Sequence, residues 1–228
     1  MPFNILASLV RVSYAYNIKD IHNQALIRLA KYFPSDLRSW DDKATRACYV
    51  TMTCTAPIEV IKLARMTNTP SLLPTAFLLC CNLTSTVWRG TSEPVLSSLS
   101  DADQARIIAG RTTLMNARAH RFLSVMNAAP ARGCHGACAC RDAVSRILDV
   151  HLANGPREDT VAAGRALDQI YPLFWDERGH GSAGQAYADL CAACAAEARR
   201  ADEHWRAETW RALPGYFGLR LRNWADCQ

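Results

Sequence analysis

Apolar residues recur at intervals of three and four along nearly the whole chain, and no segment alternates apolar and polar residues long enough for a convincing strand. That pattern predicts an all-α fold, an irregular helical array of about eight or nine helices, two of them long. Proline and glycine supply the boundaries. Residues 3–16 are apolar almost all round, with Arg11 the sole charge, so this first helix is expected to be buried on every face. The next helix puts Ile18, Ile21, Ala25, Leu29 and Phe33 on one side and stops at Pro34, because proline disfavours helix in the residue before it.

Residues 35–56 read as a loop with one short helical turn at 36–40. Pro57 suits the start of a helix through Met66, with Val60, Ile61, Leu63 and Ala64 on its apolar arc. Residues 72–83 form another apolar helix, Pro74 being tolerable only in its first turn. Ser100 is a helix cap, and the two acids after it favour the positive end of a long helix reaching about Asn127. Further helices are expected over 141–152 and 156–171, then a loop at 179–184 and a second long helix over 185–213. On that last helix Cys191, Cys194, Ala198 and Trp205 recur at helical spacing.

Charge excludes more than it suggests. The balance of 26 basic against 21 acidic side chains leaves a net +5, too mild to imply a polyanionic partner. The longest acid-free basic stretch carries Arg106, Arg111, Arg118, Arg121, Arg132 and Arg141, with only Phe122 among them for stacking. It reads as a solvated helix face rather than a nucleic-acid surface. The apolar run at 3–10 is short, lacks a basic start and is broken by Arg11, unlike a signal peptide. The uncharged stretch between Arg65 and Arg89 holds Pro70, Pro74, Asn68 and Asn82, which speaks against a membrane span. The expectation is an intracellular chain of the cytoplasm or nucleus, its thiols reduced.

Ten cysteines are the chemical signal. Cys134, Cys138 and Cys140 lie in a glycine-containing turn beside His135, and Cys191 and Cys194 follow as a CxxC pair expected inside the second long helix. Residues three apart share a helix face, so both thiolates of that pair reach one ion. A loop pair with a CxxC pair supplies the four ligands of a tetrahedral zinc site. The expected set is Cys134, Cys140, Cys191 and Cys194, with Cys138 or His135 as substitutes, and the ion a structural zinc. The competing reading is that Cys191 and Cys194 are small apolar residues on a buried stripe. Cys48, Cys54, Cys80, Cys81 and Cys227 read as ordinary thiols. Neither Cys134 with His135 nor Asp176, Glu177 and His180 matches a catalytic motif, and no phosphate loop or His-x-x-x-His pair is present, so no enzyme is expected.

Several pieces in fixed order carry a resemblance. They run from Leu9-Val10-Arg11-Val12 and Tyr16-Asn17-Ile18 to Tyr32-Phe33-Pro34 with Leu37 and Trp40, then Ile61-Lys62-Leu63-Ala64-Arg65 and Leu73-Pro74-Thr75-Ala76-Phe77. Leu99-Ser100 with Asp103 and Gly110-Arg111 come next, and Trp210-Arg211-Ala212-Leu213-Pro214 with Phe217-Gly218-Leu219 closes the series. The chain thereby resembles the C-terminal helical portion of the BTB/POZ domain proteins of mushroom-forming fungi. The resemblance implies that 1–34 correspond to the terminal helices of a BTB/POZ fold, 35–99 to a helical linker region and 100–228 to a C-terminal helical region with two cysteine groups. The strands and early helices of a BTB body are missing, as in a truncated gene product or a natural remnant, and the first helix would normally pack inside that part. A non-enzymatic protein–protein interaction or scaffold role is implied, with protein partners and, for some BTB families, adaptor work for a cullin-type ubiquitin ligase. Dimerisation and cullin docking belong to the missing body. The alternative is a zinc-stabilised regulatory or nucleic-acid-binding module.

Overall fold

The structure, a computed structural model, describes residues 1–81, 83, 98–153, 166–168, 170, 189–221 and 224. Among these residues there are nine α-helices and no β-strand, only an isolated parallel bridge between Pro2 and Thr51. The helices are α1 (Phe3–Ala15), α2 (Lys19–Tyr32), α3 (Leu37–Asp41), α4 (Lys43–Tyr49), α5 (Ala56–Met66), α6 (Leu73–Cys80), α7 (Asp101–Asn127), α8 (Ala137–Ala153) and α9 (Ala192–Tyr216). A 3-10 turn at Pro70–Leu72 leads into α6. The all-α array is therefore as expected, with α7 and α9 the long pair. None of the described helices is long and apolar enough to cross a membrane. The chain divides into two compact units, Met1–Thr113 with Trp210–Gln228, and Leu114–Thr209.

In the first unit α1 packs on α2 and α5, and α5 on α6. The helix ends explain how the chain turns between them. Both α1 and α5 finish with an asparagine in the left-handed region, Asn17 at φ 54° and Asn68 at φ 52°. The next residue's N–H then reaches back to an orphan carbonyl, Ile18 to Ser13 at 2.8 Å and Thr69 to Ala64 at 2.9 Å. Gly218 does the same for α9 at φ 63°, where glycine meets no Cβ penalty. Residues 35–56, expected as mostly loop, contain α4 as well as α3. The Asp36 and Asp42 side chains accept the Ser39 and Thr45 N–H groups at 2.7 and 2.9 Å, so each short helix is fixed by its cap.

The core of this unit is rich in large rings. Trp210 stacks against Trp40 and Trp224, and Phe77 against Phe217, with centroids 5.2–5.7 Å apart. α9 continues past its expected end at Leu213 and carries Pro214 inside it. Proline has no N–H to give the Trp210 carbonyl four residues back. The Trp224 indole Nε1 donates to that carbonyl at 2.7 Å, so the missing helix bond is replaced by a tertiary one. Gly110 of α7 lies against Phe217 so closely that a Cβ there would overlap the ring.

Two expectations about exposure need correction. α1 buries one stripe, Phe3, Leu6, Ala7, Val10 and Ser13, while Val12 is 51% and Tyr14 50% exposed. On α2, Ala25 and Leu29 are buried with Phe33 beyond its end, but Ile18 and Ile21 are exposed. The helices packed on α1 cover one side of it and leave Val12 and Tyr14 in solvent, whereas on α2 the apolar stripe is covered at Ala25 and Leu29 but not at its N-terminal end, where Ile18 and Ile21 lie.

The second unit has a different interior. Phe122, Val125 and Met126 of α7 meet Cys140, Ala143 and Ile147 of α8 and Cys194 and Ala198 of α9, together with Ile170 and Leu190. Residues 166–168 and 170, expected at the end of a helix, are turn and bend. The remainder of the expected 156–171 helix and the 179–184 loop fall outside the described residues. Leu99 and Ser100 start α7 as anticipated, the Ser100 Oγ accepting the Asp103 N–H at 3.3 Å.

Candidate metal centre

Two chain turns bring the sulfurs together. The Cys134 N–H donates to the Ala131 carbonyl at 2.9 Å, closing a turn ahead of α8, and Cys140 sits in the first turn of that helix. Cys191 is not inside a helix, as expected from its spacing, but at the cap of α9, its carbonyl accepting the Ala195 N–H at 2.9 Å. Cys194 is the third residue of the helix proper. Cap and third residue still face one point, because a cap side chain naturally turns back toward the amides of the first turn.

The Sγ atoms of Cys134, Cys140, Cys191 and Cys194 all lie within 4.8 Å of one another, the expected set with neither substitute. Cys138 and His135 are exposed and stand outside the cluster. A tetrahedron of thiolates at the usual Zn–S length has edges of about 3.8 Å. The Cys191 and Cys134 sulfurs are already 3.8 Å apart. The set is compact enough for a single ion and needs only small side-chain rotations to close on it.

The surroundings pull the sulfurs in different directions. The Ala131 N–H donates to the Cys194 Sγ at 3.3 Å, and the Cys191 N–H to the Cys140 Sγ at 3.4 Å. Cys140 and Cys191 also lie at helix N-termini, where the unpaired amides and the macrodipole stabilise a thiolate. The Cys194 N–H, with the neighbouring thiols, pulls Cys191 down to about 7. Burial pushes Cys194 the other way, to about 12. In Cys140 the Cys191 N–H lowers the thiol, but burial with the Cys134 and Cys191 side chains outweighs it and leaves the group raised. A divalent cation reverses both buried shifts, because a coordinating thiol is deprotonated outright. Hard ions prefer oxygen, so a four-sulfur set selects zinc or a comparably soft metal.

The other thiols lie elsewhere. Cys80 and Cys81 are buried and pushed up by desolvation, and Cys48 and Cys54 are exposed. Cys227 and the Asp176, Glu177 and His180 group fall outside the described residues. Cys134 lies with the other three sulfurs, and His135 is exposed.

A polar cluster that sequence reasoning missed lies in the same unit. Arg121, expected on a solvated face, is 1% exposed, and Arg118 is also buried. The Arg121 Nε donates to the Asp202 carboxylate at 2.7 Å, its Nη1 to the Ala166 carbonyl at 2.6 Å and its Nη2 to the Asp168 carbonyl. The Arg206 Nε donates to the Leu167 carbonyl at 2.7 Å, and the Ile170 N–H donates to Asp202 at 3.1 Å. The Ala166, Leu167 and Asp168 carbonyls and the Ile170 N–H are thus met by α7 and α9 side chains. The signal was present: Leu114, Arg118, Arg121 and Val125 form one stripe at spacings of four and three. Burial lowers the Arg121 pKa, and the adjacent Asp202 carboxylate opposes that shift.

No protein-family model, no curated protein and no solved structure matches the chain.

Proposed function

We propose that the chain is a non-catalytic protein-interaction module whose Leu114–Thr209 unit is held by one structural zinc ion on Cys134, Cys140, Cys191 and Cys194. The observation that carries this reading is the mutual 4.8 Å limit on the four sulfurs. Four thiolates complete a tetrahedral shell and leave no position for water or substrate, which is the signature of a structural site. The work of the protein then falls to its surfaces. Ile5, Val12, Tyr14 and Tyr16 of the α1 region and Ile18, Ile21 and Ile27 around α2 are exposed apolar side chains, a composition suited to protein contact. BTB/POZ descent and an intracellular, reducing location fit that role. The nucleic-acid alternative is weakened, since Arg118 and Arg121 are subtracted from the basic surface by burial.

Metal analysis by mass spectrometry on chain purified without chelator tests the proposal. One zinc per chain is expected, and Cys194→Ser is expected to lose it. Chain that is fully folded and metal-free would contradict it.

A further inference from the structure

We propose that Cys134 and Cys191 are an oxidation site, at which a hydroperoxide converts the two thiolates into a disulfide and so releases the metal. The inference rests on the zinc reading above and adds the regulation of that centre.

The four ligands are not equivalent. Cys140 and Cys194 are 2% and 0% exposed, and each sulfur accepts a backbone N–H that holds it in place. Cys134 and Cys191 are partly exposed, so they form the edge of the site that a small oxidant meets first. Their sulfurs are 3.8 Å apart. A disulfide needs about 2.0 Å, a closure of roughly 1.8 Å that side-chain rotation at the turn before α8 supplies. Cys194, though only three residues from Cys191, is shielded by the core formed with Cys140, Ile170 and Leu190.

The chemistry balances with the hydroperoxide as the sole co-reactant. The Cys191 thiolate attacks the peroxide, the O–O bond breaks, and a sulfenic acid and a hydroxide form. The Cys134 thiolate then attacks that sulfur, the S–O bond breaks, and a second hydroxide leaves. Two sulfurs lose one electron each and one peroxide gains both. The ion keeps only the Cys140 and Cys194 thiolates, half of the set a structural zinc requires.

The test treats the full chain with hydrogen peroxide beside a zinc-binding dye, and localises the disulfide by tandem mass spectrometry after differential alkylation. Cleavage after arginine leaves Cys134, Cys138 and Cys140 on one peptide and Cys191 with Cys194 on another, so fragment ions must assign the pair. The expected result is one zinc released per chain, a Cys134–Cys191 link, and rebinding of zinc after reduction. Cys138→Ser, outside the cluster, is expected to change none of this. Zinc retained while the exposed Cys48 and Cys54 oxidise would overturn the proposal, as would a link through Cys138 or between Cys140 and Cys194. Chain isolated without zinc would instead refute the structural-zinc reading. Mapping its peroxide product would still test the Cys134–Cys191 pair.

Discussion

The two units solve the same problem with opposite materials. The unit formed by Met1–Thr113 and Trp210–Gln228 fills its centre with Phe33, Phe77, Trp210 and Phe217, and with long aliphatic side chains on α5 and α6. Each large apolar side chain buried there contributes about 1.5–3 kcal/mol. Among its described residues the Leu114–Thr209 unit buries Phe122, Met126, Ile147 and Ile170, but sets Ala143, Ala198, Cys140 and Cys194 among them and buries the large polar side chain of Arg121. Small side chains return less on burial than large rings do, so that unit leans more on bonds of another kind. The four thiols and the Arg121–Asp202 pair are where it gets them.

The difference between the units is expected to show most sharply at the proposed metal site. Cys194→Ser is expected to cost the second unit its cooperative melt, since structural zinc is worth about 10–16 kcal/mol of apparent binding free energy in small domains. Calorimetry should then show the first unit's transition alone. Arg121→Met comes next: it leaves Asp202 buried and unpaired, a loss of about 3–5 kcal/mol that Arg121→Met with Asp202→Leu should partly recover. Urea unfolding followed by near-ultraviolet circular dichroism reads both variants.

In the first unit Gly110→Ala is expected to destabilise by about 1–3 kcal/mol, because the new methyl displaces the Phe217 ring and that ring is held by Phe77. The intrinsic helix gain of about 1 kcal/mol for that change is smaller. The least effect belongs to Asp103. Burial acts to raise its carboxyl, but Arg65 at 2.6 Å and Arg106 at 3.2 Å hold it below the ordinary range. Its contribution is therefore present above pH about 4 and is lost as pH falls through the folded value. Both arginines are partly exposed, so solvent screening keeps the pair near about 1 kcal/mol. Asp103→Asn should be less stable than the parent chain at neutral pH by this amount and converge with it in acid melts.

Legibility in the sequence followed the same division. Periodicity and capping gave α1, α5 and α7 nearly to the residue, because Pro57, Ser100 and the apolar arc of α5 act locally. The grouping of the four cysteines was readable from spacing, since the turn with Cys134 and Cys140 and the CxxC pair each set two thiols near one another. α4 was not, because its apolar content is slight and only Arg46 is buried on it, so no periodic stripe marks it. The continuation of α9 past Leu213 was not readable either, since the Trp224 indole that satisfies the Trp210 carbonyl lies ten residues beyond Pro214. Arg121 and Asp202 were missed for a related reason. A charge on an apolar stripe is ordinarily assigned to solvent, and their burial becomes affordable only when the two meet across 81 positions.

The most direct measurement is hydrogen exchange on zinc-loaded full chain, before and after removal of the metal by a chelator. The account predicts that amides of α8 and of the Ala192–Thr209 part of α9 lose protection by orders of magnitude, while those of α5 and α6 keep theirs. Equal loss in both units, or unchanged protection in α8, would show that a metal does not hold the second unit.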